Sequence, residues 1–292
     1  MTVSDAARAG SNDATTATAT NESRARVLND KFYGSITKAT DYETWEEQNV
    51  IMQEFSYYTI MNELSNIGIK DKIFMDVGCG PCPIGQKLVV KGAKKVIGVD
   101  VSQAMLDRAT TKLEEKGIAD KFELVQGDIL EDSFEVEEKV DVVVASYVIS
   151  AFISNSEVLT KFISRCKDML KPGGYLVILE VCYTSVCAMT DDDKIKYGFS
   201  YSMIGSAPPE PFEAYNFTFF PPNGQFGTAH LFNLPPRSMF EAALSAGFSD
   251  IQYKRCYMSP ALQRGELLNS FEDSEYVHSD NEYALICRNE KE

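Results

Sequence analysis

The apolar residues of this chain come in two rhythms. Short dense runs such as "YLVILEV" (175–181) alternate with segments in which apolar side chains recur every three or four positions. The first rhythm has strand length and the second has the period of a helix. The segment "DYETWEEQNVIMQEFSYYTIMNEL" (41–64) carries Val50, Ile51, Phe55, Tyr58, Ile60, Met61 and Leu64 at helical spacing and predicts a long helix. Strands are predicted at "IFMDVG" (73–78), "KKVIGVDVS" (94–102), "KFELVQGD" (121–128), "KVDVVVASY" (139–147) and "YLVILEV" (175–181). Helices are predicted between them at 84–93, 103–117 and 155–170, with Gly117 closing the second and "KPGG" (171–174) turning the chain into the fifth strand.

Beyond residue 181 the pattern changes. Residues 182–235 are rich in Pro and Gly and dense in aromatics, and a structureless loop of that length is unusual in a compact domain. The segment reads as an inserted cap. A helix at 235–248 and strands at 250–258 and 281–288 follow. Strand and helix alternating at this pitch give a mostly parallel, seven-stranded α/β sheet with helices on both faces. The organisation expected is a disordered tail at 1–28, a helical lid at 29–70 and an α/β domain at 71–292 that carries the cap. The tail is Ala/Thr/Ser/Asn-rich. Its acids Asp5, Asp13 and Glu22, and its lack of an amphipathic face, speak against a transit peptide.

Charge narrows the partners. The 28 basic and 43 acidic residues leave a formal net charge of −15, a surface that repels phosphate backbones and anionic lipid. Nucleic acid and membrane are therefore not expected partners, and a small neutral or cationic ligand is. The 7 cysteines are odd in number and dispersed, as reduced thiols in a cytoplasmic protein are. With only 2 histidines, neither near a second ligand, no zinc site is expected.

The candidate chemistry starts at "DVGCGPCPIG" (76–85). Cys79-Gly-Pro-Cys82 has the form of a redox dithiol, but it follows "DVG" in a sheet that runs on for two hundred residues, without the flanking aromatic of redox motifs. As a ligand loop, Gly78 and Gly80 let a group approach the backbone between strand and helix, and Pro83 suits the first turn of that helix. A dinucleotide fingerprint would carry a third glycine at position 83, which weakens an NAD reading. Asp100, at the end of the second strand, is placed to accept hydrogen bonds from ribose hydroxyls, and Asp128 ends the third strand.

The ordered set "DVGCG", "VIGVD", "VQGDIL" and "LKPGGYLVILE" resembles the class I S-adenosylmethionine-dependent methyltransferases over roughly residues 30 to 290. The resemblance implies a Rossmann-like fold and S-adenosylmethionine as cofactor. It puts Asp76, Gly78, Cys79 and Gly80 around the methionine moiety, Asp100 on the ribose, and Val101 and Met105 beside the adenine. Asp128 would meet the exocyclic amine, flanked by Gly127 and Ile129, and Ser146 and Tyr147 would stand between cofactor and substrate. Many members have a glycine where this chain has Cys82. Within the class, "DKFYGSITKATDYETW", "ASYVISAF" and the stretch from Phe219 to Phe248 are similar to small-molecule methyltransferases of the toxoflavin-biosynthesis type. Expected substrate contacts are Tyr147, Glu180, Tyr183, Tyr215 and His230, with Tyr147 and His230 as catalytic candidates. Tyr147 could instead be a packed core tyrosine at the sheet edge, His230 a solvated loop histidine and Glu180 the cap of a turn, and Tyr183 and Tyr215 could instead pack the cap. Tyr33, Trp45, Phe55 and Tyr58 could close over the cofactor. The expected activity is methyl transfer to a nitrogen of a small molecule. Sulfur or oxygen methylation, a non-catalytic nucleoside-binding protein and a redox protein are the competing readings, and the oligomeric state is open.

Overall fold

The computed structural model describes residues 29, 33–34, 36–181, 198–205, 209–220, 227–263 and 282–290. Its strands are β1 (Ile73–Val77), β2 (Lys95–Asp100), β3 (Phe122–Gln126), β4 (Val140–Ser146), β5 (Leu170–Val181), β6 (Phe199–Met203), β7 (Ala214–Phe219), β8 (Gly227–Phe232), β9 (Asp250–Arg255) and β10 (Glu282–Arg288). Its helices are α1 (Ile36–Gln48), α2 (Tyr57–Ile67), α3 (Pro83–Val90), α4 (Gln103–Glu115), α5 (Ser156–Asp168), α6 (Pro236–Ser245) and the short α7 (Pro260–Gln263). One seven-stranded sheet runs in the order β3-β2-β1-β4-β5-β10-β9. β1 to β5 pair in parallel, and β10 enters antiparallel between β5 and β9. All seven sheet strands lie where the apolar runs place them.

The period of two explains how this sheet is covered. Phe74, Val142, Val144, Val177 and Leu179 face one layer, and Ile73, Met75, Val143, Leu176 and Ile178 face the other. The first layer also holds residues of α1, α2 and α3, and the second holds Leu159, Phe162 and Ile163 of α5 with Met239 and Ala243 of α6. β1 is buried at all five of its positions, which is why it reads as an unbroken apolar run. Among the described residues no helix is long and apolar enough to cross a membrane.

Two elements differ from the sequence expectation. The long N-terminal helix is broken at Asn49, whose Oδ1 accepts the backbone N–H of Met52 at 3.0 Å, and a π-turn over Met52–Ser56 precedes α2. The "KPGG" stretch lies inside β5. The strand already pairs at Leu170 with Val140 and resumes at Tyr175 with Val142, across an irregularity where Gly173 takes φ +76°.

Where a cap is expected, the described residues form a second sheet, β6-β7-β8, antiparallel throughout. β7 alternates half-buried and buried positions over "AYNFTF". Its aromatics pack inward: Phe199 stacks on Phe217 with centroids 5.1 Å apart, and Trp45 of α1 meets Phe219 edge-on at 4.8 Å. The small sheet and the N-terminal helices thus share one core on the first face of the main sheet. The remainder of the expected cap, including Tyr183, and the expected tail lie outside the described residues.

Candidate active site at the carboxyl ends of the parallel strands

Parallel strands end together, so the loops after β1, β2 and β4 converge on one edge of the sheet. The loop after β1 is pinned across its neighbour: Gly78 N–H and Cys79 N–H both donate to Val99 O, at 2.7 and 3.0 Å. Gly78 has φ +66°, and a Cβ there would lie 2.1 Å from Val148 Cγ2, so no other residue fits. Gly80 has φ +50° with open space beside it. Cys82 stands at φ +61°, in the left-handed conformation that a third glycine would adopt freely. That substitution raises the energy of the turn by about 1–2 kcal/mol. Pro83 opens α3 directly behind it.

Asp100 ties this loop to the next. Its Oδ2 accepts Gly80 N–H at 2.9 Å and its Oδ1 accepts Ser102 N–H at 2.8 Å. Burial pushes its carboxyl above the ordinary range, against the pull of those N–H donors. With the Val101 N–H also directed at it, the carboxylate keeps about one lone pair for a further donor. Ser102 caps α4 by accepting Met105 N–H at 3.3 Å, and Met105 is buried while Val101 is exposed. On the next strand, Gly127 N–H donates to Asp100 O at 3.1 Å, and a Cβ at Gly127 would strike Phe134 at 2.7 Å. Asp128 Oδ1 accepts Leu130 N–H at 2.9 Å, and the carbonyl of buried Ile129 accepts from Arg165 Nε at 3.1 Å. Arg165 braces this loop from α5.

Asp76 and Ser146 sit at the centre. Asp76 is 3% exposed; one oxygen is reached by the Gly85 N–H, and its Oδ2 has no partner. Burial pushes its pKa up to about 7, with Asp100 adding to the rise. Ser146 ends β4 with a buried, unpartnered Oγ. Both line a cavity of about 30 Å³ together with Gly78, Cys79, Gly80 and three lid residues, Tyr42, Glu46 and Tyr57. A larger groove of about 580 Å³ lies outside it and shares Glu46, Tyr57, Pro81 and Pro83 as walls.

The N-terminal helical segment, the expected lid, is held down at several points. Tyr33 O accepts Ser102 Oγ at 2.9 Å, and Glu43 pairs with Arg108 and, at 3.2 Å, with Lys112 of α4. Tyr57 donates its hydroxyl to Glu46 Oε1, and Glu46 Oε2 is left buried without a partner. Burial lifts Glu46 to about 8, the Tyr57 hydrogen bond opposing and the charges of Asp76 and Glu43 adding.

The remaining candidates divide. Tyr147, at φ +53°, donates its hydroxyl to Glu282 Oε2 at 2.6 Å and is not on the wall of the loop cavity. Glu180 is fully buried; its Oε2 accepts Ser150 N–H at 3.1 Å and its Oε1 accepts Val181 N–H at 3.0 Å, so it holds the turn after β4. Burial raises its pKa to about 7. Tyr215 is fully buried in the core that cap and lid share. His230 lies on β8, its backbone bracketed by Asn29, which also donates to Ala151 O at 2.8 Å. The Cys79 and Cys82 thiols are free and buried, hydrogen-bond to one another, and both are raised.

Tyr58 faces the outer groove, where its ring meets Tyr257 edge-on at 5.8 Å; Tyr57 takes the inner place. The π-turn explains this, since its extra residue rotates everything downstream relative to a regular helix. Tyr42 and Glu46 escaped the sequence reading. Their signal was an acid four residues after a tyrosine, on the stripe that carries Trp45 and Asn49.

Residues 74–174 match the methyltransferase domain family. Protein arginine N-methyltransferase 1 of Saccharomyces cerevisiae is 32% identical over 142 residues, 46% of this chain and 40% of that protein. Sterol 24-C-methyltransferase ERG6B of Gibberella zeae is 31% identical over 122 residues, 41% of this chain and 31% of that protein. The chain thus spans less than half the length of these curated relatives. The CcbJ methyltransferase from Streptomyces caelestis matches in structure with a TM-score of 0.56 at 15% identity, covering 81% of this chain and 90% of its own. Residues 74–174 thus form a methyltransferase domain on a Rossmann-like sheet, and S-adenosylmethionine is the cofactor against which the site is tested. The residues fit that group: two glycines clear the backbone, and buried acceptors at Asp76 and Ser146 have no protein partner.

Proposed function

We propose that the chain methylates a nitrogen of a small molecule, with S-adenosylmethionine as donor. The reading is carried by the convergence of Asp76, Gly78, Gly80, Asp100 and Ser146 on one strand edge, with unpaired buried acceptors turned into one cavity. In this reading Asp76, Gly78, Cys79, Gly80 and Ser146 hold the amino-acid end. Asp100 holds the ribose, and Val101, Met105, Gly127, Asp128 and Ile129 enclose the base. When bound, the cofactor supplies an electrophilic methyl on a sulfonium that departs neutral.

The chain's own task is then to align the acceptor and exclude water. Lid and cap, joined through Trp45 and Phe219, form a roof over that face of the sheet, and an enclosed approach suits a small acceptor. A nitrogen acceptor needs no base once deprotonated. For a hydroxyl acceptor, His230 on the cap is the candidate base. A resemblance to toxoflavin-type enzymes supports the same substrate class.

A second reading, methylation of arginine in a protein, is favoured by the yeast relative and by the open groove walled by Glu43, Glu47 and Glu54. Methyl-labelled cofactor, incubated with the protein and a size-fractionated extract, separates the two. Label in the filterable fraction is expected. Label confined to polypeptide favours the second reading, and cofactor binding without any transfer favours a non-catalytic nucleoside-binding protein.

A further inference from the structure

We propose that Glu46, carried over the glycine loop by the lid, joins Asp76 and Ser146 to form a seat for the α-ammonium group at the amino-acid end of the cofactor. The inference rests on the cofactor reading above and deepens it.

Three observations meet. First, the cavity beneath the lid holds about 30 Å³, room for a single water-sized or ammonium-sized group and far too little for a nucleoside. Second, it is lined by three buried oxygens without partners: Glu46 Oε2, Asp76 Oδ2 and Ser146 Oγ. A primary ammonium carries three donors and no acceptor, so each of its hydrogens finds one of these oxygens. Third, Glu46 and Asp76 are 2% and 3% exposed, and among the described residues neither carboxylate has a salt-bridge partner, the Lys87 charge only lowering Glu46 from a distance. A cation brought in between two buried carboxyls stabilises their charged forms, adding to the single donor that each already has.

The surroundings set the proton balance. Glu46 faces the Tyr57 hydroxyl, Tyr42, Glu43, Asp76 and Lys87; the Lys87 ammonium is engaged outward with Gln53 Oε1 at 2.9 Å. Asp76 faces the Gly85 N–H, Asp100, Tyr57 and the thiols of Cys79 and Cys82. With Glu46 at about 8 and Asp76 at about 7, the free protein holds protons on this pair at neutral pH. An entering ammonium displaces them to solvent as the carboxyls ionise. Since Glu46 sits on α1, filling the seat also fastens the lid from beneath.

The test is calorimetric titration of the full chain at pH 7, in two buffers of different ionisation heat. The probes are S-adenosylhomocysteine and its analogue with hydrogen in place of the α-amino group. Wild type is expected to favour the amino compound roughly 10- to 100-fold, the worth of a charge-assisted hydrogen bond, and to release protons on binding it. Glu46→Gln is expected to lose most of that preference and most of the proton release. Ser146→Ala, which leaves the lid untouched, is expected to weaken the amino compound several-fold relative to its analogue. Equal binding of both compounds by wild type, or an unchanged preference in both variants, overturns the seat while the cofactor reading stands. Binding of neither compound by wild type overturns the cofactor reading, and the seat with it.

Discussion

The hydroxyl of Tyr147 donates to Glu282 Oε2 at 2.6 Å across 135 residues of sequence, and Ser56 Oγ donates to the same oxygen at 2.5 Å. The turn after β4, the π-turn of the lid and the antiparallel strand β10 are thereby locked to one buried carboxylate. Tyr147→Phe is expected to destabilise the fold by about 1–3 kcal/mol, because it strips a donor from a buried acceptor. In a Glu282→Gln background the same change should matter much less. Urea denaturation of the four-member cycle reads the coupling. Additive losses would contradict the lock.

Gly78 is the position least open to change. Gly78→Ala adds a left-handed strain of about 1–2 kcal/mol and forces a Cβ into Val148. Thermal unfolding should fall by several degrees, and binding of S-adenosylhomocysteine should be lost. Adding Val148→Ala relieves the clash but not the φ, so only part of the stability returns. Full recovery in the double variant would contradict the φ argument.

Much of this was legible before any coordinates. Continuous apolar runs gave the strands because both faces of the sheet are covered, as Phe74 and Met75 on opposite layers show. Gly78 and Asp100 stood out because turn sterics and strand ends act over a few residues. The lid was legible as a helix but not in its phase. Asn49 and the π-turn shift the register, which brings Tyr57 rather than Tyr58 to the loop. Contacts set by tertiary folding were not legible at all. Nothing local in Glu282 announces Tyr147 and Ser56, and nothing near Asn29 announces His230.

Cys79 and Cys82 pack with Leu106 and Ala109 beneath the loop, and both thiols are raised by their surroundings. A buried thiol that resists ionisation is a poor nucleophile. Native protein treated with iodoacetamide at neutral pH should leave both unmodified, and both should react after unfolding, as read by peptide mass spectrometry. Rapid alkylation of either in the native state would revive the redox reading.

The pH dependence of stability follows from three buried carboxyls. Glu46, Asp76 and Glu180 are raised to about 8, 7 and 7 because burial disfavours their anions. The folded chain keeps protons that an unfolded chain gives up above about pH 4.5. Their contribution is therefore fully present below that pH and is lost as pH rises through 7 and 8. Glu46→Gln, which mimics the protonated form, should gain on wild type in Tm between pH 6 and pH 8.5. A difference that stays constant over that window would contradict the assignment.

The most direct measurement is calorimetric titration with S-adenosylmethionine and S-adenosylhomocysteine, with NAD as control, on wild type and on Asp100→Ala. The expected result is micromolar binding of both sulfur nucleosides, none of NAD, and loss of binding in the variant, since Asp100 is the proposed ribose ligand and also holds Gly80 N–H at 2.9 Å. Binding of neither nucleoside by the wild-type chain would contradict the cofactor site, and with it the methyltransferase reading.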